Sequence, residues 1–287
     1  MIVLDALATR QALPMELAIE AMRVGLGDDR DVPLRSRLGG SAFMPGRAGE
    51  HTGVKVVSLV PGNPVGLVVV IGPEGDPVGI VDGPTLTSIR TGAASGLATD
   101  LLAPRGEATL AMLGAGAMAA DQIAAVRSVR PLNEIRVWSR DPSHAEQLAK
   151  SIGAVAAKTT AEAVDGATII STATPARSAL FEDSDLTAPV HVNAVGAFTP
   201  EMCEIPAGFV RRAYVVVDDL EAAAAEAGDL LQAQVTPDCT LADLISGRQS
   251  RPEGSTFFKS VGIASQDVAA GVAALRQAKE LGLGKKI

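Results

Sequence analysis

Aromatic residues are scarce in this chain of 287: six Phe, one Trp and one Tyr, 3% in all. A core with so few rings must be filled by small aliphatic side chains, and a hydrophobic content of 47% supplies them. Cysteine is scarcer still. Cys203 and Cys239 are too few and too isolated for a disulfide framework or a zinc site, which points to a reducing cytoplasm. The three histidines, His51, His144 and His191, are scattered and read as surface or internally satisfied side chains, so no metal site is expected. Positive charge is in deficit: 25 Lys and Arg face 33 Asp and Glu, a net charge of −8. Nucleic-acid binding needs a basic footprint to neutralise phosphates, and that footprint is missing. Long apolar runs are missing too, since the densest, residues 66–72, is far shorter than the roughly 20 residues of a membrane helix. The N-terminus carries no basic segment and soon meets Asp5, so it does not read as a signal peptide. These absences leave a protein with a small-molecule ligand.

What is present has the pattern of an α/β protein. The length exceeds the usual single domain of roughly 100–200 residues and is enough to bury about three quarters of the unfolded surface. From residue 108 onward strands and helices alternate. An apolar strand over 108–113 is followed by a helix from near 120, a strand over 134–138 and a helix over 143–152. Strand-like runs then recur at 167–171, 190–194 and 214–218. Such alternation implies βαβ units and a mainly parallel sheet. The first 80 or so residues differ. Extended segments at 33–38, 53–60, 66–71 and 75–81, punctuated by Pro and Gly, read as a mixed or antiparallel sheet with a helix over about 14–25 packed on it. A small-residue helix over about 85–102 leads into the second part, and a helix over 260–281 returns to the first. The expected plan is a discontinuous α+β substrate and dimerisation domain, residues 1–104 and 255–287. A Rossmann-type dinucleotide-binding domain, residues 105–254, is inserted between its parts.

The dinucleotide signal is Gly114-x-Gly116-x-x-Ala119, which follows a strand, opens a helix and lies in a βαβ unit of about 30 residues. Gly114 permits the tight turn, Gly116 lets the backbone approach a pyrophosphate, and Ala119 lets helix and strand pack closely. The N–H groups at the helix start favour phosphate. Without nucleotide, the same residues would be an ordinary glycine turn. At the end of the next strand, Val137-Trp138-Ser139-Arg140 stands where an acidic residue would bind the ribose of NAD. Asp141 comes later, beside Pro142, in a position suited to a turn or helix cap. NADP(H) is therefore favoured, with NAD(H) the alternative.

Candidate chemistry upstream rests on bases. Arg35 and Arg37 lie two apart in an extended run and share one face. Lys55 interrupts the apolar strand Val54-Lys55-Val56-Val57, where a lone ammonium is costly to bury. Arg90 sits in the small-residue helix. Two arginines suit a grip on a carboxylate, and a partly desolvated lysine beside cations can move protons near neutral pH. Equally, each charge could snorkel to solvent from a sheet edge or helix rim.

Over nearly its whole length the chain resembles the ornithine cyclodeaminase/mu-crystallin family. The matching segments are Pro33-Leu34-Arg35, Met44-Pro45-Gly46, Val54-Lys55-Val56-Val57, residues 82–95, Leu113-Gly114-Ala115-Gly116, Val192-Asn193-Ala194-Val195-Gly196-Ala197 and Phe258-Lys259-Ser260-Val261-Gly262. The resemblance implies a homodimer whose N-terminal sheet domain binds substrate facing the nicotinamide. It implies that Arg35 and Arg90 hold a substrate carboxylate and that Lys55 is the active-site lysine, while Arg37 has no firm counterpart. Ala117 and Met118 then follow the pyrophosphate turn, and Ser139 and Arg140 match the NADPH-using mu-crystallin pattern. Thr172, Val195 and Gly196 fall on the nicotinamide side, and Thr91, Phe198, Ser260 and Val261 in the substrate pocket.

One departure matters. Cyclodeaminases carry a catalytic Asp in a Val-Gly-x-Asp-x-Pro-Gly-Lys pattern, whereas here Phe198 and Met202 replace that Asp and that Lys in Val195-Gly196-Ala197-Phe198-Thr199-Pro200-Glu201-Met202. An apolar ring can neither act as a base nor hold an amine. The expected activity is therefore NAD(P)H-dependent reduction of a cyclic ketimine carboxylate, Δ1-pyrroline-2-carboxylate or Δ1-piperideine-2-carboxylate, to L-proline or L-pipecolate. Two other readings stay open. One is an oxidative deaminase, either a cyclodeaminase or an alanine dehydrogenase-like enzyme. The other is a non-catalytic protein of mu-crystallin type that sequesters NADPH and a small carboxylate.

Overall fold

The computed structural model describes residues 1–60, 65–186 and 189–287. The chain divides into two compact units, residues 1–94 with 263–287, and residues 95–262. Both boundaries differ from the expected 104/105 and 254/255. The first falls within the helix Gly83–Leu102, because its last turns are tied to the second unit: Asn193 Nδ2 donates to Thr99 Oγ1 (3.0 Å), and the Arg130 guanidinium donates to the carbonyls of Thr99, Asp100 and Ala103. The second moves because Thr256–Lys259 is an interior strand of the second unit's sheet, paired in parallel on both sides.

In the first unit, four antiparallel strands, Ser41–Ala48, His51–Ser58, Gly66–Ile71 and Pro77–Asp82, form the body of an eight-stranded sheet among the described residues. The strand Ser41–Ala48 is not legible in the sequence, because Pro45 sits in it. The register explains how the proline is tolerated. Ser36–Leu38 pairs with residues 41–43 and Arg30–Asp31 with residues 47–48, so Pro45 lies in the gap, where no outer neighbour needs its missing N–H. One cross-strand row, Met44, Lys55, Val68 and Val81, points inward and is buried. The next, Pro45, Val54, Val69 and Ile80, lies on the outer face and keeps part of its surface exposed. The helix Ala264–Leu281 covers the inner face, closely enough that a Cβ on Gly271 would meet Val70 Cγ2 at 2.9 Å. It also meets the helix Met15–Gly25, through a bond from Ser265 Oγ to the Gly25 carbonyl (2.6 Å). Its start lies at residue 264 rather than 260, because the Asp218 carboxylate holds residues 260–262 in a turn by accepting from Ser260 Oγ and the N–H groups of Val261 and Gly262.

The second unit is a parallel sheet of eight strands among the described residues. In spatial order they are Val155–Ala156, Leu132–Trp138, Ala108–Leu113, Ile169–Thr172, His191–Ala194, Thr256–Lys259, Tyr214–Val217 and Cys239–Thr240. The interior strands are buried on both faces, as in a sheet covered on both sides. Strand Ala108–Leu113 has its successor, Leu132–Trp138, on one side and Ile169–Thr172 on the other. That is a reversal of strand order, and the crevice beyond the carboxyl ends of such strands is where α/β sheets bind ligands.

Candidate active site

In the second unit this crevice is a cavity of about 490 Å³ lined by Gly114, Ala115, Gly116, Ser139, Arg140 and Thr174 among others. Gly114 has φ +110°, its N–H donates to the Trp138 carbonyl (2.8 Å), and a Cβ there would lie 2.8 Å from the Ala173 carbonyl oxygen. Only glycine fits. A Cβ on Gly116 would meet nothing within 4 Å, so the chain leaves open space where the fingerprint predicts a pyrophosphate. Ala117 and Met118 lead into the helix Ala119–Val129, whose first residue is buried against the sheet and whose N-cap, Met118, supplies no side-chain acceptor. These residues fit a dinucleotide. At the far end, Asp141 caps the helix Pro142–Ile152, accepting from Ser143 N (3.0 Å) and Ser143 Oγ (2.7 Å), which hold its pKa below the usual value.

A buried carboxylate shapes the other side of the crevice. Glu204 Oε1 accepts from Thr174 N (2.7 Å) and Oγ1 (2.9 Å), while Oε2 accepts from Gly196 N (2.8 Å) and Ala197 N (3.1 Å). It thereby joins the loops that follow two neighbouring strands. Gly196 must be glycine, since a Cβ would collide with the backbone of Thr174 and with Glu204 itself. Asp229 fixes the Glu204 segment by accepting from the N–H groups of Glu204 (2.6 Å) and Ile205 (3.0 Å), and pairs with the fully buried Lys259 at 2.7 Å. Burial raises the Glu204 pKa, against the opposing pull of Lys259.

In the first unit, the inward row and the cover helix meet at a cluster of charges. Lys55 is 6% exposed, with its Nζ 3.3 Å from Asp267 Oδ1. Arg90 Nε donates to the same oxygen (3.1 Å), and Arg90 Nη1 donates to Gln266 Oε1 (2.5 Å). Burial lowers the Lys55 pKa to about 8, Asp267 opposes that fall, and Arg90 and Arg35 add to it. Three buried polar atoms here, Asp267 Oδ2, Gln266 Nε2 and Thr91 Oγ1, have no protein partner. An ammonium that titrates near neutral pH beside guanidinium groups can hold an anion and supply a proton.

The structure therefore brings Lys55, Arg90 and the charge of Arg35 together, with Thr91 next to Arg90 in sequence. Arg37 is exposed, and the expected face shared by Arg35 and Arg37 does not place both in the cluster. Gly114, Gly116, Ser139 and Arg140 line the crevice. Thr172 and Val195 are buried at the ends of their strands, with Val195 N bonded to the Thr172 carbonyl. Ser260 and Val261 are buried, and Asp218 takes the Ser260 hydroxyl and the Val261 N–H, so their visible task is to hold a turn. Phe198 is 46% exposed. His191 lies within the sheet with Thr256 Oγ1 (2.8 Å) and Asn193 Oδ1 (3.0 Å) at its two nitrogens, a satisfied core histidine. Sequence reasoning missed Gln266 and Asp267, two buried polar residues in the first turn of an Ala- and Val-rich helix. It also missed Glu204, which lies in a loop and has no local pattern to mark it.

Comparison with known proteins agrees with this layout. The model of the ornithine cyclodeaminase/mu-crystallin family matches residues 30–280. A Δ1-pyrroline-2-carboxylate reductase of Bacillus cereus is 36% identical over 83% of this chain and 81% of its own. Mouse ketimine reductase mu-crystallin is 35% identical over 69% of this chain and 64% of its own length. Among solved structures, Thermococcus litoralis Δ1-pyrroline-2-carboxylate reductase, in complex with NADH and L-proline, superposes with a TM-score of 0.92 at 27% identity, covering 100% of both chains. With the fingerprint crevice, the buried lysine and these matches in hand, the chain belongs to the ornithine cyclodeaminase/mu-crystallin family.

Proposed function

We propose that this chain is an NAD(P)H-dependent reductase of cyclic ketimine carboxylates, with Δ1-pyrroline-2-carboxylate and Δ1-piperideine-2-carboxylate as substrates and L-proline and L-pipecolate as products. The observation that carries the reading is the buried Lys55–Asp267–Arg90 cluster, in a chain with Phe198 at the position of the cyclodeaminase aspartate. Arg90 and Arg35 hold the substrate carboxylate. A bound reduced nicotinamide supplies the hydride that the imine carbon accepts. Lys55 gives its proton to the ring nitrogen and recovers one from solvent, so each turnover consumes one imine, one reduced cofactor and one proton. Fixing the imine by its carboxylate supplies much of the lowering of the barrier, since a hydride moves only between aligned atoms.

NADP(H) is favoured over NAD(H), because Ser139 and Arg140 line the crevice and Asp141, which lines it too, is engaged as a helix cap. A second copy of the chain covers the outer sheet face, where Val54, Leu67, Val69 and Ile80 stand in one apolar patch with Leu67 40% exposed. The setting is a reducing cytoplasm, with Cys203 and Cys239 as free thiols.

The test mixes protein, NADPH or NADH, and each of the two imines, and follows loss of the reduced-nicotinamide absorbance. Turnover of either imine is expected. No turnover with either cofactor and either ring overturns the reading; ammonia release from ornithine, lysine or alanine would show a deaminase instead.

A further inference from the structure

Asp267 is fully buried, yet no chemistry has been assigned to it. Its Oδ1 stands 3.3 Å from Lys55 Nζ and 3.1 Å from Arg90 Nε, so one oxygen carries two cations. Among the described residues, the charged groups facing Lys55 are few. Asp267 comes from the helix Ala264–Leu281, Arg90 from the helix Gly83–Leu102, and Arg35 from the segment before Ser36–Leu38. Its cross-strand neighbours, Met44 and Val68, are apolar. Two of the three charges are therefore cationic, and without Asp267 a buried ammonium would face only like charge. Such an ammonium gives up its proton.

We infer that Asp267 is a positioning residue acting through Lys55: it anchors the ammonium and the Arg90 guanidinium on one oxygen, keeping Lys55 in its charged, proton-donating form at neutral pH. Gln266 completes the anchor by holding Arg90 Nη1 from the same helical turn. The helix that closes the first unit thus brings the counter-ion to a lysine 212 residues away in the chain. The inference rests on the imine-reductase reading for its kinetic consequence, but the protonation state of Lys55 can be measured without turnover.

The experiment compares wild type with Asp267→Asn, following kcat/KM for Δ1-pyrroline-2-carboxylate from pH 6 to pH 10. The wild-type value is expected to fall as pH rises through about 8. In Asp267→Asn the fall moves down by about 1 pH unit or more, so the loss is about tenfold or more at pH 8.5 and only a few-fold at pH 6. An equal loss at every pH, with the limb unmoved, overturns the inference and leaves Asp267 a packing residue. In parallel, the Nζ resonance of Lys55 is titrated in 15N-lysine protein and assigned with Lys55→Arg. The same titration point in wild type and variant overturns the inference even if no imine is reduced, whereas failure of turnover alone counts only against the proposed function. Should Asp267→Asn not fold, the double variant Lys55→Gln/Asp267→Asn removes a cation along with the anion. Its kcat is expected within about twofold of that of Lys55→Gln, and a further tenfold loss of kcat would show that Asp267 acts independently of Lys55.

Discussion

The decisive residue is a lysine in the wrong kind of place. A strand that reads Val-Lys-Val-Val normally turns its lysine to water, and here the register turns it inward instead, opposite Met44 and Val68. Burial costs the charged form, and Asp267 repays only part of that cost, so the pKa settles at about 8. The sign matters for the expected pH profile. Lys55 is charged below its pKa and neutral above it, so reduction is expected to fade as pH rises through 8, read from log kcat/KM against pH. Lys55→Gln removes the donor without adding bulk and is expected to lower kcat about 10²–10⁴-fold, the usual range for a lost general acid, with a smaller change in KM. Arg90→Lys keeps a charge but loses the planar fork. Its main effect is expected on KM for the imine, raised about 10–150-fold, as losing 1.5–3 kcal/mol of charge-assisted hydrogen bonding implies. Among these residues, Lys55, Arg35 and Arg90 were legible from residue type and motif. Asp267 was not, because nothing local says which of many acidic residues a distant lysine will meet.

Elements position these side chains through close approach. The helix Ala264–Leu281 can lie on the sheet because Gly271 and its alanines carry almost no bulk, and its first turn therefore reaches Lys55. The crevice uses the same device at Gly196, where backbone, Thr174 and Glu204 crowd together. Gly196→Ala is expected to push the two loops apart and weaken NADPH or NADH binding about tenfold or more, measured by quenching of Trp138 fluorescence, while the rest of the sheet holds. The strand–turn–helix of the fingerprint was readable from periodicity and glycine spacing, as was the helix Pro142–Ile152 with its Asp141 cap. The strand Ser41–Ala48 was not, because Pro45 looks like a breaker until the gap between its outer neighbours is known. Similarly, the start of the last helix shifted by four residues because Asp218 claims the N–H groups of Val261 and Gly262.

At the scale of the molecule, two properties can be checked. His191 is fully buried and neutral, its pKa lowered to about 3 chiefly by burial, against 6.5 in the unfolded chain. Between these values the unfolded chain binds a proton that the folded one does not. Its contribution is therefore a loss of stability as pH falls from 6.5 toward 3. Urea unfolding at pH 7, 5 and 4 should show that loss, with a shallower slope in His191→Gln. The second property is assembly. Val69→Lys places a charge in the apolar outer face and is expected to shift the proposed dimer toward monomer in sedimentation, with the dinucleotide crevice intact. An unchanged sedimentation coefficient would count against a dimer contact on this face.

The sequence by itself determined the class of the fold, the dinucleotide turn, the identity of the basic residues and the absence of a cyclodeaminase aspartate. All of these depend on local spacing or on residue type, which a chain carries in its own order. Only the tertiary structure decided where the units divide, that Lys55 faces inward, and that Asp267, Glu204 and Lys259 are buried beside their partners. These outcomes turn on strand register and on contacts between residues far apart in the chain. A shift of one residue in register would turn Lys55 to the outer face, and no local pattern records that choice.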